Sequence, residues 1–533
     1  MAYNIADLIE HTIDLVPDRT AVVCGGKRVT FGQLEERANR LAHHLAANGV
    51  GRESNVGIYS LNSIEFIETM LAAYKLRAVP ININYRYTPD ELYYIFDNAD
   101  LVALVHQQQF APLVAQVRPR CPKLKHVVVI EDGSGEPYEG TAYETALAES
   151  SPERDFEERT DDDIYILYTG GTTGMPKGVV YRHEDVWRVL GGGIDFQTGE
   201  RVEDEWQQAR KGAEAGGGVT FPIAPLMHGA AQWGTLGALF NGNTAVLIPR
   251  FDAHEVWKLV AAEKVNTIAV TGDAMARPMI EALREGNYDT SSVVAFSSTA
   301  AVFSPSIKDE YLELLPNVFI TEAIGATETG FSGLKMHQKG ESSRGGGPTV
   351  NLGAETLIID DDGNPVKPGE TGRIARAGHV PLRYHKDPEK SAATFLELNG
   401  KRYSVPGDFA RLEEDGTVTL LGRGSVCINS GGEKIFPEEV EGALKSHPDV
   451  FDAVVVGVPD DRFGQRVAAI VQPRGSSKPT LEELAEHART KIARYKVPRE
   501  LHLVDEIART PAGKPNYPWA LAEATRRREK ASQ

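Results

Sequence analysis

Eleven consecutive residues, Tyr168-Thr-Gly-Gly-Thr-Thr-Gly-Met-Pro-Lys177-Gly178, combine the features that an anion needs. Glycines at 170, 171 and 174 let the backbone turn tightly and present amide hydrogens to one centre. The hydroxyls of Thr169, Thr172 and Thr173 add donors, and Lys177 adds a compact positive charge. This is the composition of a phosphate cradle. It is not the Walker pattern, because Pro176 precedes the lysine and no serine or threonine follows it. A plain Gly/Thr hairpin is the bland alternative, disfavoured because glycine, hydroxyl and lysine coincide in one short stretch.

The elements around this loop have to hold it still. A short buried strand over 164–168 leads in, and an extended run over 179–181 leads out. Further strands at 245–248, 266–271 and 317–321, with an amphipathic helix over 254–263, alternate in the manner of α/β layers. The stretch 191–220 mixes charge and glycine without period and reads as a surface insertion or lid, with a disordered loop as the alternative. Beyond residue 422 the pattern becomes compact α+β: helix 437–445, strands 453–456 and 466–471, helix 481–493, strand 500–504. The expected division is a large N-terminal domain over 1–422, a hinge at 423–427 and a small mobile domain over 428–533. The last dozen residues, rich in Arg and Lys, read as a frayed tail.

Composition bounds the class. The chain has 533 residues, 41% hydrophobic and 25% charged, an ordinary globular balance. Its net charge of -18 argues against general nucleic-acid binding. Cys24, Cys121 and Cys427 are too scattered for a disulfide or zinc framework, which suits a reducing compartment. No apolar run approaches the ~20 residues of a membrane-spanning helix. The first residues carry acids and no basic region, so no signal peptide is expected.

Further segments occur in an order that resembles the adenylate-forming superfamily of acyl-CoA synthetases, luciferases and peptide-synthetase adenylation domains. They are Ile324-Gly-Ala-Thr-Glu328, Ser404-Val-Pro-Gly-Asp408, Gly422-Arg423, Ser430-Gly-Gly-Glu-Lys-Ile-Phe-Pro-Glu-Glu-Val-Glu441, Arg494-Tyr-Lys-Val-Pro498 and Thr510-Pro-Ala-Gly-Lys514. Within that superfamily, runs such as Thr271-Gly-Asp-Ala-Met-Ala-Arg-Pro278 and Gly422-Arg-Gly-Ser-Val-Cys-Ile-Asn-Ser-Gly-Gly-Glu-Lys434 resemble the actinobacterial fatty-acid and steroid side-chain CoA ligases.

The resemblance implies an α/β fold, a multi-subdomain adenylation domain with a small mobile C-terminal domain, and a two-step ligation. An acid attacks the α-phosphate of ATP to give acyl-AMP and pyrophosphate; coenzyme A then displaces AMP. In that reaction Thr172, Thr173 and Lys177 hold the β- and γ-phosphates together with Thr169, and Glu328 binds Mg²⁺. Thr327 donates to the α-phosphate, and Lys514 bridges the two reacting anions. Asp408 and Arg423 take the ribose, while Ser298, Thr299, Ala300, Ile324 and Gly325 form the adenine slot. Gly431 and Gly432 let pantetheine pass. Ile324 replaces an aromatic residue common in relatives, and Ser425 stands where relatives carry an aspartate or lysine pivot.

The acyl pocket is expected to draw on His228, Gly229, Trp233 and Asp273. The segment after His228 is Gly-Ala-Ala-Gln, without the acid that pairs an α-amino group in amino-acid-activating relatives, so a plain carboxylic acid is expected. The small residues suggest a roomy pocket for a bulky apolar acid. Transfer to a carrier protein, or an inactive nucleotide- or lipid-binding relative, are the alternatives. A cytoplasmic enzyme is expected, with peripheral membrane contact or a homodimer left open.

Overall fold

The computed structural model describes residues 3–170, 175–195, 198–299, 301, 303–337, 339, 347–430, 433–460, 463–510 and 514–531. Among these, the longest sheet has a parallel half and an antiparallel half. Strands Thr20–Cys24, Thr244–Leu247, Val219–Pro222, Thr267–Val270, Ala295–Ser298 and Phe319–Ala326 pair in parallel in that order. Helices such as Ala253–Glu263 and Asp273–Glu285 make the crossovers. Val22, Val246, Phe221, Ile268 and Phe296 are fully buried, as expected where helices cover a parallel sheet. The chain then turns back antiparallel through Gly330–His337 and continues to Asp408–Leu412 and Val418–Arg423.

A second, parallel sheet is built from Val79–Asn82, Asn55–Tyr59, Leu101–Gln107, His126–Ile130 and Thr141–Ala142. The strands that flank the glycine-threonine stretch form a separate hairpin, Ile164–Thr169 against Lys177–Arg182, with Arg383–Tyr384 on its outer edge. Its lead-in, residues 152–163, is strapped down by buried charge. Lys75 is 1% exposed and reaches Glu10 at 2.5 Å and Glu35 at 2.8 Å. Arg154 joins Glu35 and Arg159 joins Glu10, while Arg77 holds Asp163 at 2.8 Å.

From Ile428 onward the chain has its own core. Strands Val450–Asp460 and Gly464–Pro473 form a long antiparallel pair extended by Glu500–Leu503. Alternation sorts their side chains. Val455 and Val471 face helices Pro437–Lys445 and Leu481–Arg489. Val454, Val456 and Ile470 face the terminal helix Tyr517–Ala531. That helix corrects the expectation of a frayed tail. Ala520 and Ala524, one turn apart, are fully buried and let it lie close to the sheet, while Arg526 and Arg527 pair with Glu523 and Arg528 reaches back to the Pro459 carbonyl and Glu500. The expected helix over 481–493 ends earlier, at Arg489.

The described residues of the 191–220 stretch include a docked helix rather than only irregular loop. Its helix Gln207–Glu214 docks on helix Ile5–Leu15. The His11 ring stacks on Trp206 at 3.9 Å, and Trp187 Nε1 donates to Gln208 at 3.1 Å. Arg19 closes the far end by donating to the carbonyls of Gly212, Ala213 and Gly242. Gly212 lies so close to the next helix end that a Cβ there would sit 2.1 Å from the Asn241 carbonyl oxygen. Gly212→Ala is therefore expected to undock this helix, costing about 1–3 kcal/mol as overpacking does. The checks are a lowered Tm and faster proteolytic nicking within 191–220; unchanged values for both would refute the docking.

Candidate active site

The hairpin fixes both ends of the glycine-threonine loop: Thr169 pairs directly with Lys177 across the ladder. Lys177 Nζ meets Asp387 Oδ2 at 2.6 Å and lies 5.7 Å from the centroid of the Tyr384 ring. Asp387 is shared: its other oxygen accepts from Lys390 N–H and caps helix Pro388–Thr394. The lysine next to it holds the Asp387 carboxyl below its ordinary pKa. Thr172 and Thr173 lie outside the described residues.

Thr327 and Glu328 sit in the turn between Phe319–Ala326 and Gly330–His337. Gly325 permits that tight turn, since a Cβ on it would be 2.4 Å from the Gly330 carbonyl oxygen. Tyr181 donates to the Thr327 carbonyl at 2.9 Å, and Tyr384 donates to Glu328 Oε1 at 2.9 Å. Tyr384 thus touches both the loop lysine and the turn glutamate. Burial, then the Glu328 charge, keeps its phenol protonated.

Asp408 and Arg423 are cross-strand partners, and Arg423 Nε donates to Asp408 Oδ1 at 3.0 Å. Lys514 comes from the other domain to the same place. It lines a cleft with Asp273, Ala301, Gly325, Asp408 and Arg423. Its turn is closed by the Lys514 amide donating to the Thr510 hydroxyl and by the Thr510 amide donating to the Lys514 carbonyl. Arg509 moors the turn through two bonds to Asp452. Lys514 keeps solvent-accessible surface because the cleft is open, yet protein crowds its ammonium. Desolvation lowers its pKa, Arg423 pushes the same way, and Glu328 and Asp408 push back. Across the cleft, Arg277 of the N-terminal domain stacks on Phe451 of the C-terminal one at 5.3 Å.

Glu438 lies against the strand end at Gly422, whose φ of 124° suits glycine. A Cβ on Gly422 would be 2.1 Å from Glu438 Oε2. Burial, then the neighbouring Glu441, raises the Glu438 pKa. Gly431 and Gly432 lie outside the described residues.

The residues expected around adenine and acid are only partly drawn together. Thr299 follows strand Ala295–Ser298, and Ala300 lies outside the described residues. Ser298 is buried and its Oγ accepts from Gly272 N–H at 3.2 Å, so this hydroxyl braces the start of helix Asp273–Glu285. Ile324 lines the cleft but is 4% exposed and packs with Val350, Ile374 and Val418. Asp273 also lines it, with both carboxylate oxygens engaged by Ser304 at 2.7 and 2.5 Å. His228 begins helix Gly229–Phe240, and its Nε2 is buried with no hydrogen-bond partner among the described residues. Burial, Lys514 and Arg86 push its pKa down to about 3. Gly229 is small because a Cβ would come within 2.7 Å of Leu167. Trp233 is buried and donates to the Tyr165 hydroxyl at 3.2 Å.

Comparison with known proteins decides what this cleft belongs to. Residues 9–383 match the AMP-binding enzyme family, and residues 439–514 match the AMP-binding enzyme C-terminal domain. The chain belongs to the AMP-binding enzyme family. A 3-oxocholest-4-en-26-oate–CoA ligase of Rhodococcus rhodochrous is 60% identical, over 98% of this chain and 96% of that one. A medium/long-chain-fatty-acid–CoA/3-oxocholest-4-en-26-oate–CoA ligase of Mycolicibacterium smegmatis is 56% identical, with the same coverage of 98% and 96%. Among solved structures, the anthranilate CoA ligase AuaEII in complex with anthranoyl-AMP superposes with a TM-score of 0.85 at 24% identity, covering 100% of this chain and 99% of that one. A Mycobacterium tuberculosis fatty acyl CoA synthetase gives 0.72 at 24% identity, covering 98% and 99%.

Like its family, the protein is an AMP-forming acid–thiol ligase that uses ATP, Mg²⁺ and coenzyme A. The donor set fits the metal. Among the described residues there is no cluster of three or more His, Cys, Asp or Glu that could hold an ion by itself. Magnesium on a nucleotide needs only one or two carboxylates, the rest coming from phosphate and water. Glu328, 7% exposed and oriented by Tyr384, is such a carboxylate.

Sequence reading missed Tyr384, Tyr181, Asp387 and Arg277. Asp387 was findable in part, since Asp before Pro388 is a helix-start signal; its bond to a lysine 210 residues away was not. No helix among the described residues is long and apolar enough to cross a membrane.

Two outcomes follow from this geometry. Tyr384→Phe removes the bond that orients Glu328, and hydrogen bonds to charged groups contribute roughly 1.5–3 kcal/mol. The KM for Mg·ATP should rise about tenfold or more, with Tm little changed; an unaltered KM would refute the role. His228, with its pKa lowered to about 3, becomes charged only as pH falls through that value. His228→Gln should therefore leave the shape of the pH–rate profile between roughly pH 5.5 and 8 unchanged. A wild-type inflection near neutrality that disappears in the variant would refute this.

Proposed function

We propose that this enzyme activates a bulky apolar acid, a steroid side-chain acid or a medium- to long-chain fatty acid, and joins it to coenzyme A. The observation that carries the substrate class is full-length identity of 60% and 56% to ligases named for 3-oxocholest-4-en-26-oate and for medium/long-chain fatty acids. The surroundings of His228 support it: the charges felt there are Lys514 and Arg86, both positive, so a carboxylate is welcome and no acid waits for an α-amino group.

Thr169, Thr172, Thr173 and Lys177 hold the β- and γ-phosphates, and Thr327 donates to the α-phosphate. Glu328 would hold the magnesium ion, whose charge would offset that of the triphosphate. Asp408 accepts from the ribose hydroxyls with Arg423 beside it. Ser298, Thr299, Ala300, Ile324 and Gly325 wall the adenine, with Ser298 and Ile324 acting through the backbone they brace. His228, Gly229, Trp233 and Asp273 border the acid. Lys514 lies between acid and phosphate and stabilises the charge that develops as the carboxylate oxygen bonds to phosphorus and pyrophosphate leaves. No protein nucleophile is needed. Residues 1–422 and 428–533 form two bodies joined at 423–427. Rotation there withdraws Lys514 and brings Gly431 and Gly432 to the pantetheine arm for attack by the thiolate. The enzyme works in the cytoplasm, and a homodimer is compatible with it.

Pyrophosphate exchange tests the first half-reaction. Lys514→Ala should slow it by about 100- to 1000-fold, while thioester formation from supplied acyl-AMP suffers less. A turnover screen with coenzyme A over short, aromatic, medium and long acids and steroid side-chain acids tests the substrate. Activity confined to short or aromatic acids would overturn the proposed class, and AMP release independent of coenzyme A would overturn the thiol acceptor.

A further inference from the structure

Asn82 ends the edge strand Val79–Asn82, and a strand that packs against it, Ile164–Thr169, belongs to a different sheet. Among the described residues no ladder joins the two strands; the Asn82 carboxamide does so instead. Its Oδ1 accepts from Tyr168 N–H at 2.8 Å, and its Nδ2 donates to the Tyr168 carbonyl at 2.8 Å. This copies one rung of a β-ladder with a side chain. The same Nδ2 also donates to the Met227 carbonyl at 2.7 Å. The residue is 6% exposed, so none of these bonds is diluted by water.

Each partner stands one residue before a segment of the site. Tyr168 precedes Thr169, which pairs with Lys177 across the phosphate hairpin. Met227 precedes His228 and the helix Gly229–Phe240. A single buried amide therefore sets the spacing between the segment that takes phosphate and the segment that borders the acid. The reaction needs that spacing. The carboxylate oxygen is repelled by the negative oxygens around the α-phosphorus, so it must be held near ~3–3.5 Å from that phosphorus, and a shift of ~1 Å is able to cost about 100-fold in rate.

We infer that Asn82 is a positioning residue that registers the two substrates against each other, so that losing its amide lowers kcat without weakening either substrate's own binding. This rests on the assignment of the two segments in the preceding section.

The test uses the full chain with ATP and dodecanoate as probes. Kd values for each alone, Tm, and kcat for pyrophosphate exchange are measured in wild type, Asn82→Ala and Asn82→Asp. The aspartate keeps the acceptor for Tyr168 N–H but sets an oxygen against two carbonyl oxygens. Both variants are expected to lose about 100-fold in kcat, with each Kd within about threefold of wild type. Folded variants with wild-type kcat, a loss carried wholly by Kd, or variants that do not fold would each make Asn82 a structural residue and overturn the inference. Absence of exchange in wild type would instead overturn the proposed function, and this inference with it.

Discussion

Two anions repel, and an enzyme that joins a carboxylate to a triphosphate has to hold positive charge where they meet without letting it collapse onto a permanent partner. In this chain two of the cations proposed for that task are tethered to acids. Lys177 is held by Asp387 and Arg423 by Asp408, each in an ion pair that fixes direction while leaving part of the side chain exposed. Lys514 is different. It lies in the field of Glu328 and Asp408, but its hydrogen bonds are made by the backbone, so its ammonium stays available to the cleft. Its crowded surroundings strengthen any charge interaction it makes there.

The scaffold turns long sequence separations into short distances by ladder pairing. Thr169 meets Lys177, and Asp408 meets Arg423, because antiparallel neighbours face each other. Where two sheets are not continuous, side chains bridge them. Asn82 does so by copying a backbone rung, and Tyr384 does so by spanning from the lysine of one hairpin to the glutamate of another turn. Buried charge plays a similar part under the lead-in strap, where Lys75, Arg154 and Arg159 share Glu10 and Glu35.

Much of this was legible in the sequence where a signal was local. The strands on either side of the glycine-threonine stretch, the alternation of α/β layers and the helix Pro437–Lys445 announce themselves through apolar runs and a proline at a helix start. The ordered motifs pointed to the family. Other features depend on partners far along the chain. The helical tail was missed because Arg and Lys dominate its composition, whereas its fate is decided by Ala520 and Ala524 meeting the sheet. The 191–220 helix was missed because its anchors are His11, Arg19 and Asn241, none of them in its own window. Ser298 was expected to help form the adenine slot; that its hydroxyl accepts from the Gly272 amide, 26 residues earlier, has no local signal.

The terminal helix has a consequence for the timing of synthesis. Lys514 is held by a turn moored to strand Val450–Asp460, and the helix that covers the outer face of that strand begins only at Tyr517. A ribosome-bound chain that already displays the whole parallel sheet therefore still lacks the packing behind the turn that carries Lys514.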